Sequence, residues 1–257
     1  MNPSAAIPRA ALVTGGAKRI GAALVEGLAA DGFAVAIHYR DSRTEAEALA
    51  ARIVAGGGKA VALAADLGRE ADVTALADAA RAEIGPLGVL VNNASEFTRD
   101  EVLDATRESW DRHMEANLRA PFVLAQALAR DLPDDAEGAI VNMIDQRVWN
   151  LTPHFTTYTL SKAGLWTLTQ TMALALAPRV RVNAIGPGPT LKSVRQDPAQ
   201  FARQVASVPL KRGPELDEIV GAARFILAAP SLTGQMIALD GGQHLNWGAP
   251  GLNQPEE

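Results

Sequence analysis

The sequence contains no cysteine. Disulfides and thiolate metal sites are therefore excluded, and the composition suits a reducing compartment. No apolar run approaches the length needed to cross a membrane, and the opening stretch MNPSAAIPRA is too short and polar for a secretory signal. Charge of one sign is nowhere concentrated. The formal net charge of -5 arises from 29 acidic and 24 basic residues mixed along the chain, which offers no surface for nucleic acid. Linkers, repeats and low-complexity tracts are also missing. Tyrosine is scarce, with two in 257 residues, so the setting of each one carries information. The expectation is a soluble, cytoplasmic protein with neither a nucleic-acid nor a membrane partner. Its four histidines show no metal-ligand spacing, so no metal is expected either.

What is present is a regular alternation. Short apolar runs predict strands at Ala10–Val13, Ala34–His38, Ala60–Ala64, Val89–Val91, Ala139–Ile144, Val180–Ile185 and Met236–Leu239. Between them, longer and mostly Ala-rich patterns predict helices over Arg19–Ala30, Glu45–Ala55, Ala71–Glu83, Ser109–Asp131, Phe155–Ala177 and Asp217–Ala228. Strand and helix repeated in this way give an α/β fold. A single domain over residues 1–257 is expected, with a doubly wound, Rossmann-like parallel sheet and helices on both faces. One excursion, about 191–208, lacks strand character and could form a lid over a site.

The first strand runs into TGGAKRIG, Thr14–Gly21, which opens the first helix. Glycines here, Gly15 among them, let backbone amides approach a pyrophosphate, and the helix N-terminus favours its charge. The second strand ends in IHYRDS. NAD-binding units of this design usually carry an acid there for the ribose hydroxyls. Here His38 holds the place, followed by Tyr39 and Arg40. Arg40 could grip a ribose 2′-phosphate through charge-assisted bonds, Ser42 could add a hydroxyl, and Lys18 and Arg19 add positive charge beside the phosphates. Each cation alone reads as an ordinary surface residue. Together, with no acid at the strand end, they favour NADPH as cofactor.

YTLSK, Tyr158–Lys162, lies on the predicted Phe155–Ala177 helix. A spacing of four residues puts both side chains on one face, one turn apart. An ammonium there stabilises a phenolate and makes the phenol a better acid. Upstream, IVNMIDQ ends an apolar run in Asp145. A carboxylate at that edge needs a partner or a role, because burying an unpaired charge is prohibitive.

These segments resemble the short-chain dehydrogenase/reductase superfamily over nearly the whole chain. The matching stretches are TGGAKRIG, ADL (Ala65–Leu67), NNAS (Asn92–Ser95), Asn117, YTLSK, VNAIGPG (Val182–Gly188) and TGQMIALDGG (Thr233–Gly242). The resemblance implies that Asp66 and Leu67 lie beside the adenine, and that Asn93, Ala94 and Ser95 lie along the cofactor with Gly15 and Ile20. It also implies a proton relay joining Asn117 to Lys162, Pro187 and Gly188 under the nicotinamide, and a homotetramer. Two positions depart from the usual pattern: Arg19 replaces a third loop glycine, and Asp145 replaces the usual catalytic serine. Both departures, with a phenylalanine after NNAS, are similar to pteridine reductases and dihydromonapterin reductases. Carried over, they place Arg19, Ser95, Phe97, Asp145 and Tyr158 around a pterin.

The aspartate suits that substrate class. A ketone reductase must stabilise an alkoxide, and an ionised carboxylate would oppose it by several kcal/mol in a dry site. Reduction of a C=N bond ends in a protonated nitrogen, which needs no oxyanion donor. The expected activity is NADPH-dependent reduction of a dihydropterin or dihydrofolate ring. Tyr158 supplies the proton, Lys162 lowers the phenol pKa and holds the nicotinamide ribose, Asp145 orients tyrosine and ring, and Phe97 stacks on the ring. Phe97 remains open to a plain packing role, and Arg19 to a phosphate clamp or a substrate contact. Two rivals stand: an NADPH-dependent ketone or imine reductase with Asp145 protonated, and an NADPH-binding regulator without chemistry. His113 and His154 read as surface or packing residues. Trp149 and Trp247 could line the mouth of the site, although either could instead be structural.

Overall fold

The computed structural model describes residues 4–193 and 195–246. Seven strands alternate with α-helices along the described chain. They run β1 (Ala10–Val13), α1 (Arg19–Ala30), β2 (Ala34–Tyr39), α2 (Arg43–Ala55), β3 (Ala60–Ala64), α3 (Glu70–Ile84) and β4 (Val89–Asn92). Then come α4 (Arg107–Met114), α5 (Ala120–Asp131), β5 (Gly138–Met143), α6 (Thr156–Ala175), β6 (Val180–Pro187), α7 (Pro198–Ser207), α8 (Leu216–Ala228) and β7 (Met236–Leu239). All strand pairs are parallel, in the order β3-β2-β1-β4-β5-β6-β7. The order reverses between β1 and β4, where doubly wound sheets open a crevice at their carboxyl ends.

The strands read as continuous apolar runs because both sheet faces are covered. Alternate side chains enter opposite cores. Ala11, Val13, Val89, Val91 and Val141 join one cluster with Leu24 and Leu28 of α1 and Ile219 and Ile226 of α8. Ala10, Leu12, Leu90 and Ile140 join the other, with Leu76 of α3, Leu124 and Leu128 of α5 and Met172 of α6.

The expected helix Ser109–Asp131 forms as a rod from Arg107 to Asp131, but it is not α-helical throughout. Glu115–Arg119 make a π turn between α4 and α5. Asn117 sits in that turn, fully buried, with its side chain bonded to Glu96 and Ser161. Periodicity cannot anticipate these tertiary bonds, and π turns recur at functional sites. Among its described residues the excursion after β6 has no strand, and it contains α7. That helix begins with a reciprocal cap between Asp197 and Gln200 and with Pro198 in its first turn, and none of its residues is buried. β5 stops at Met143, one residue earlier than expected. Asp145 therefore stands beyond the strand and caps a short 3-10 turn, Gln146–Val148.

Candidate active site

The turn from β1 into α1 is tied down on two sides. The Asn93 side-chain amide donates to the carbonyls of Thr14 and Gly15 at 2.9 and 3.0 Å. The Asn93 and Ala94 backbone amides donate to the Thr14 hydroxyl at 2.9 and 3.0 Å. On the other side, the Gly15 amide donates to Nδ1 of His38 at 2.9 Å. That bond makes Nδ1 the acceptor, so the proton sits on Nε2, 3.1 Å from the Ala65 carbonyl. His38 is buried, and desolvation pushes its pKa down to about 4. It is a neutral latch joining the glycine turn to the ends of β2 and β3. Gly21 admits no side chain, since a Cβ there would lie 2.1 Å from the Gly15 carbonyl oxygen.

Above this turn lies a cleft of about 440 Å³. Gly15, Lys18, Arg19, Ile20, His38, Tyr39, Arg40, Ser42, Asp66, Leu67, Asn93, Ala94 and Ser95, which the sequence analysis assigns to the cofactor, all line it. Two of its cations are engaged: Lys18 with the exposed Glu45 at 2.6 Å, and Arg40 with the exposed Asp41 at 2.8 Å and the half-buried Glu96 at 3.6 Å. Exposed pairs of this kind contribute little, so a phosphate can replace them at small cost.

A second cleft of about 250 Å³ adjoins the first, and Arg19, Ile20, Asn93 and Ser95 line both. Asp145, Tyr158, Lys162, Phe97, Pro187 and Gly188 meet here. The Tyr158 hydroxyl donates to Oδ2 of Asp145 at 3.0 Å, while Oδ1 accepts the Arg147 amide at 2.8 Å. Lys162 is buried. Its ammonium donates to the Met143 carbonyl at 2.9 Å and lies 5.9 Å from the Tyr158 ring centroid. Desolvation lowers its pKa to about 8, against a raising effect from Asp145. Phe97 stacks on Phe155 at 4.7 Å and meets Tyr158 edge-on at 4.6 Å, leaving it only partly buried. It therefore packs and lines the cleft at once.

Arg19 holds the backbone of the missing glycine, with φ +57, in the left-handed region that side chains avoid. Its guanidinium donates to the carbonyls of Leu191 (3.0 Å) and Lys192 (2.9 Å), so it reaches from the glycine turn to the segment before α7. Arg195 of that segment lies 6.0 Å from the Phe97 ring centroid and donates to the Phe97 carbonyl. The excursion thus overhangs the second cleft.

Every predicted site residue lines one of the two clefts except Asn117. Asn117 bonds Glu96 and Ser161, the neighbour of Lys162, rather than Lys162 itself. His113 is fully buried and not a base: its ring accepts the Thr98 amide and bonds the Thr157 hydroxyl, which donates to Asp100. His154 pairs with Glu101. Trp149 packs edge-on against Trp166 and His244 and lines neither cleft, while Trp247 lies outside the described residues. Sequence reasoning missed Arg147, and flagged 191–208 only as an excursion over the site without singling out Gln196, Phe201 and Gln204, which line the second cleft with it. No motif marks them. Among the described residues no cluster could hold a metal ion, and no helix is long and apolar enough to cross a membrane.

Comparison with known proteins agrees with this arrangement. The family described as enoyl-(acyl carrier protein) reductase matches residues 15–244. Alternative dihydrofolate reductase 1 (FolM) from Brucella canis, crystallised with NADP, superposes with a TM-score of 0.93. It is 52% identical over 97% of this chain and 100% of its own. The corresponding Brucella suis protein in complex with NADP gives 0.92 and 53% identity, over 96% and 99%. The 3-oxoacyl-[acyl-carrier-protein] reductase of Synechocystis is 34% identical over 90% of this chain and 95% of its own length. The chain belongs to the short-chain dehydrogenase/reductase superfamily of oxidoreductases.

Proposed function

We propose that the protein reduces a C=N bond of a dihydropterin ring, free or within dihydrofolate, with NADPH as cofactor. The carrying observation is the Tyr158 hydroxyl bonded to Asp145 at 3.0 Å, beside the Phe97 ring. The likeness to the NADP-bound dihydrofolate reductases of Brucella supports it.

The first cleft fits a phosphorylated dinucleotide. The glycine turn is a cradle that a Cβ would fill: Gly15 has φ +61, and a Cβ there would stand 3.0 Å from Ala94 Cα. Lys18, Arg19 and Arg40 face the same space, and the only acid just past β2, Asp41, is bonded to Arg40. When bound, NADPH supplies the hydride. Gly188 packs so closely on Asp240 that no side chain fits, which keeps the floor beneath the reacting ring flat. Lys162 holds positive charge beside the phenol and so eases release of its proton. Tyr158 passes that proton from its hydroxyl oxygen to the ring nitrogen, forming the new N–H bond, and the hydride that bound NADPH would supply accounts for the new C–H bond. Asp145 orients the phenol and accepts from ring N–H and amino groups, and Phe97 stacks on the heterocycle.

Both oxygens of Asp145 act as acceptors, from the Arg147 amide and the Tyr158 hydroxyl. The test is NADPH consumption with 7,8-dihydropterins and dihydrofolate against a panel of ketones. Brisk pterin turnover that Tyr158→Phe abolishes supports the reading. Fast ketone turnover with pterins ignored overturns it.

A further inference from the structure

Arg147 poses a physical problem. It is only 6% exposed. Among the described residues its guanidinium has one hydrogen-bond partner, the Thr152 hydroxyl at 3.1 Å, and no carboxylate within ion-pair distance. Its buried Nε–H has no acceptor at all. The Phe155 ring, with its centroid 4.9 Å away, offers partial compensation through its π face. A largely buried guanidinium with an unpaired Nε–H is unfavourable unless something supplies the missing acceptor. Arg147 lines the second cleft beside Asp145 and Tyr158, so the open space next to it is the space a substrate enters.

We infer that Arg147 forms an anion-reading subsite of the second cleft, and that its missing partner is a carboxylate carried by the substrate away from the reacting ring. A planar guanidinium takes a carboxylate through two parallel N–H bonds, the strongest recognition available to it. Among the described residues, the one carboxylate lining this cleft, Asp145, is engaged by Tyr158 and by the Arg147 backbone amide, so it leaves the guanidinium free for the ligand. This inference rests on the proposed function. Within it, a dihydrofolate, whose benzoyl-glutamate tail ends in carboxylates, is preferred to an uncharged dihydropterin.

The test compares the NADPH-loaded wild type with Arg147→Met and Arg147→Lys. KM is measured for 7,8-dihydrofolate and 7,8-dihydrobiopterin, thermal melting is recorded, and 4-aminobenzoyl-glutamate, the tail alone, is titrated by calorimetry. Arg147→Met is expected to raise the dihydrofolate KM about tenfold or more, the loss of one charge-assisted pairing, and to shift the dihydrobiopterin KM less than about twofold. Tail binding should vanish, Arg147→Lys should recover part of it, and the melting temperature should hold or rise. Equal loss with both substrates, a lower melting temperature with parallel loss, or tail binding that is absent or unchanged by the substitution overturns the subsite. Should the protein reduce no pterin at all, the proposed function fails, while the tail titration still decides the role of Arg147.

Discussion

Asp145 is the residue on which the proposed chemistry turns. A serine at this place would donate to an oxyanion, whereas Asp145 accepts from Tyr158 and from the chain itself. Replacing it by serine is expected to lower dihydropterin kcat about 100-fold, within the usual range for a lost proton-handling group, while NADPH affinity holds within about twofold. Equal losses in kcat and in cofactor titration would assign Asp145 to the fold instead. In the proposed mechanism Lys162 sets the pH behaviour. Burial lowers its pKa to about 8, so the alkaline limb of kcat/KM is expected near pH 8 in a pH–rate profile. The stability effect has the opposite sign. The buried ammonium opposes folding below pH 8, and from there up to about pH 10.4 the folded chain sheds a proton that the unfolded chain keeps, so this penalty is relieved as pH rises. Tyr158, Lys162 and Asp145 were all legible because helical spacing and a strand-ending acid are local signals. Arg147 was not, because its isolation is a property of the packed interior, and its sequence neighbours look like any turn.

Among the elements, the turn from β1 to α1 combines two demands. Arg19 keeps a glycine-like backbone at φ +57, which raises the energy of the fold by ~1–2 kcal/mol, and in return ties the turn to Leu191 and Lys192. Arg19→Gly is therefore expected to raise stability by about 1 kcal/mol in chemical denaturation, yet to weaken NADPH binding and speed proteolysis within 191–207. Unchanged proteolysis would mean that the tether carries no weight. Gly21→Ala should act differently, since its Cβ would meet the Gly15 carbonyl 2.1 Å away and the turn could not close over a pyrophosphate. The strands and most helices were legible because apolar runs and amphipathic periods are written along the chain. The π turn around Asn117 was hidden, because it answers to Glu96 and Ser161, distant in sequence. α7 was not read from the sequence either: it is ten residues long with none buried, and only Phe201 and Val205, one turn apart, mark its apolar side.

Across the molecule, the latch at His38 couples the cofactor turn to the stability of the sheet. Its pKa falls from an ordinary 6.5 to about 4 on folding, so its contribution is complete above pH 6.5 and is lost as pH falls toward 4. The urea midpoint should drop through that window, and His38→Gln should flatten the slope. Assembly is a second property at this scale. Leu160 and Leu174 on α6 and Trp110 on α4 remain exposed, and these two helices pack together. They support the proposal of a homotetramer, for which light scattering should read four times the chain mass. The doubly wound order was legible from the alternation alone, since parallel strands need covered faces and right-handed crossovers. A sheet with every strand pointing one way has a working rim and an idle one. Both clefts open along the carboxyl ends, and the turn between α2 and β3 lies at the other side, where Gly57 at φ +85 has open space around it. A reporter peptide spliced in after Gly57 should leave NADPH binding and turnover as they were.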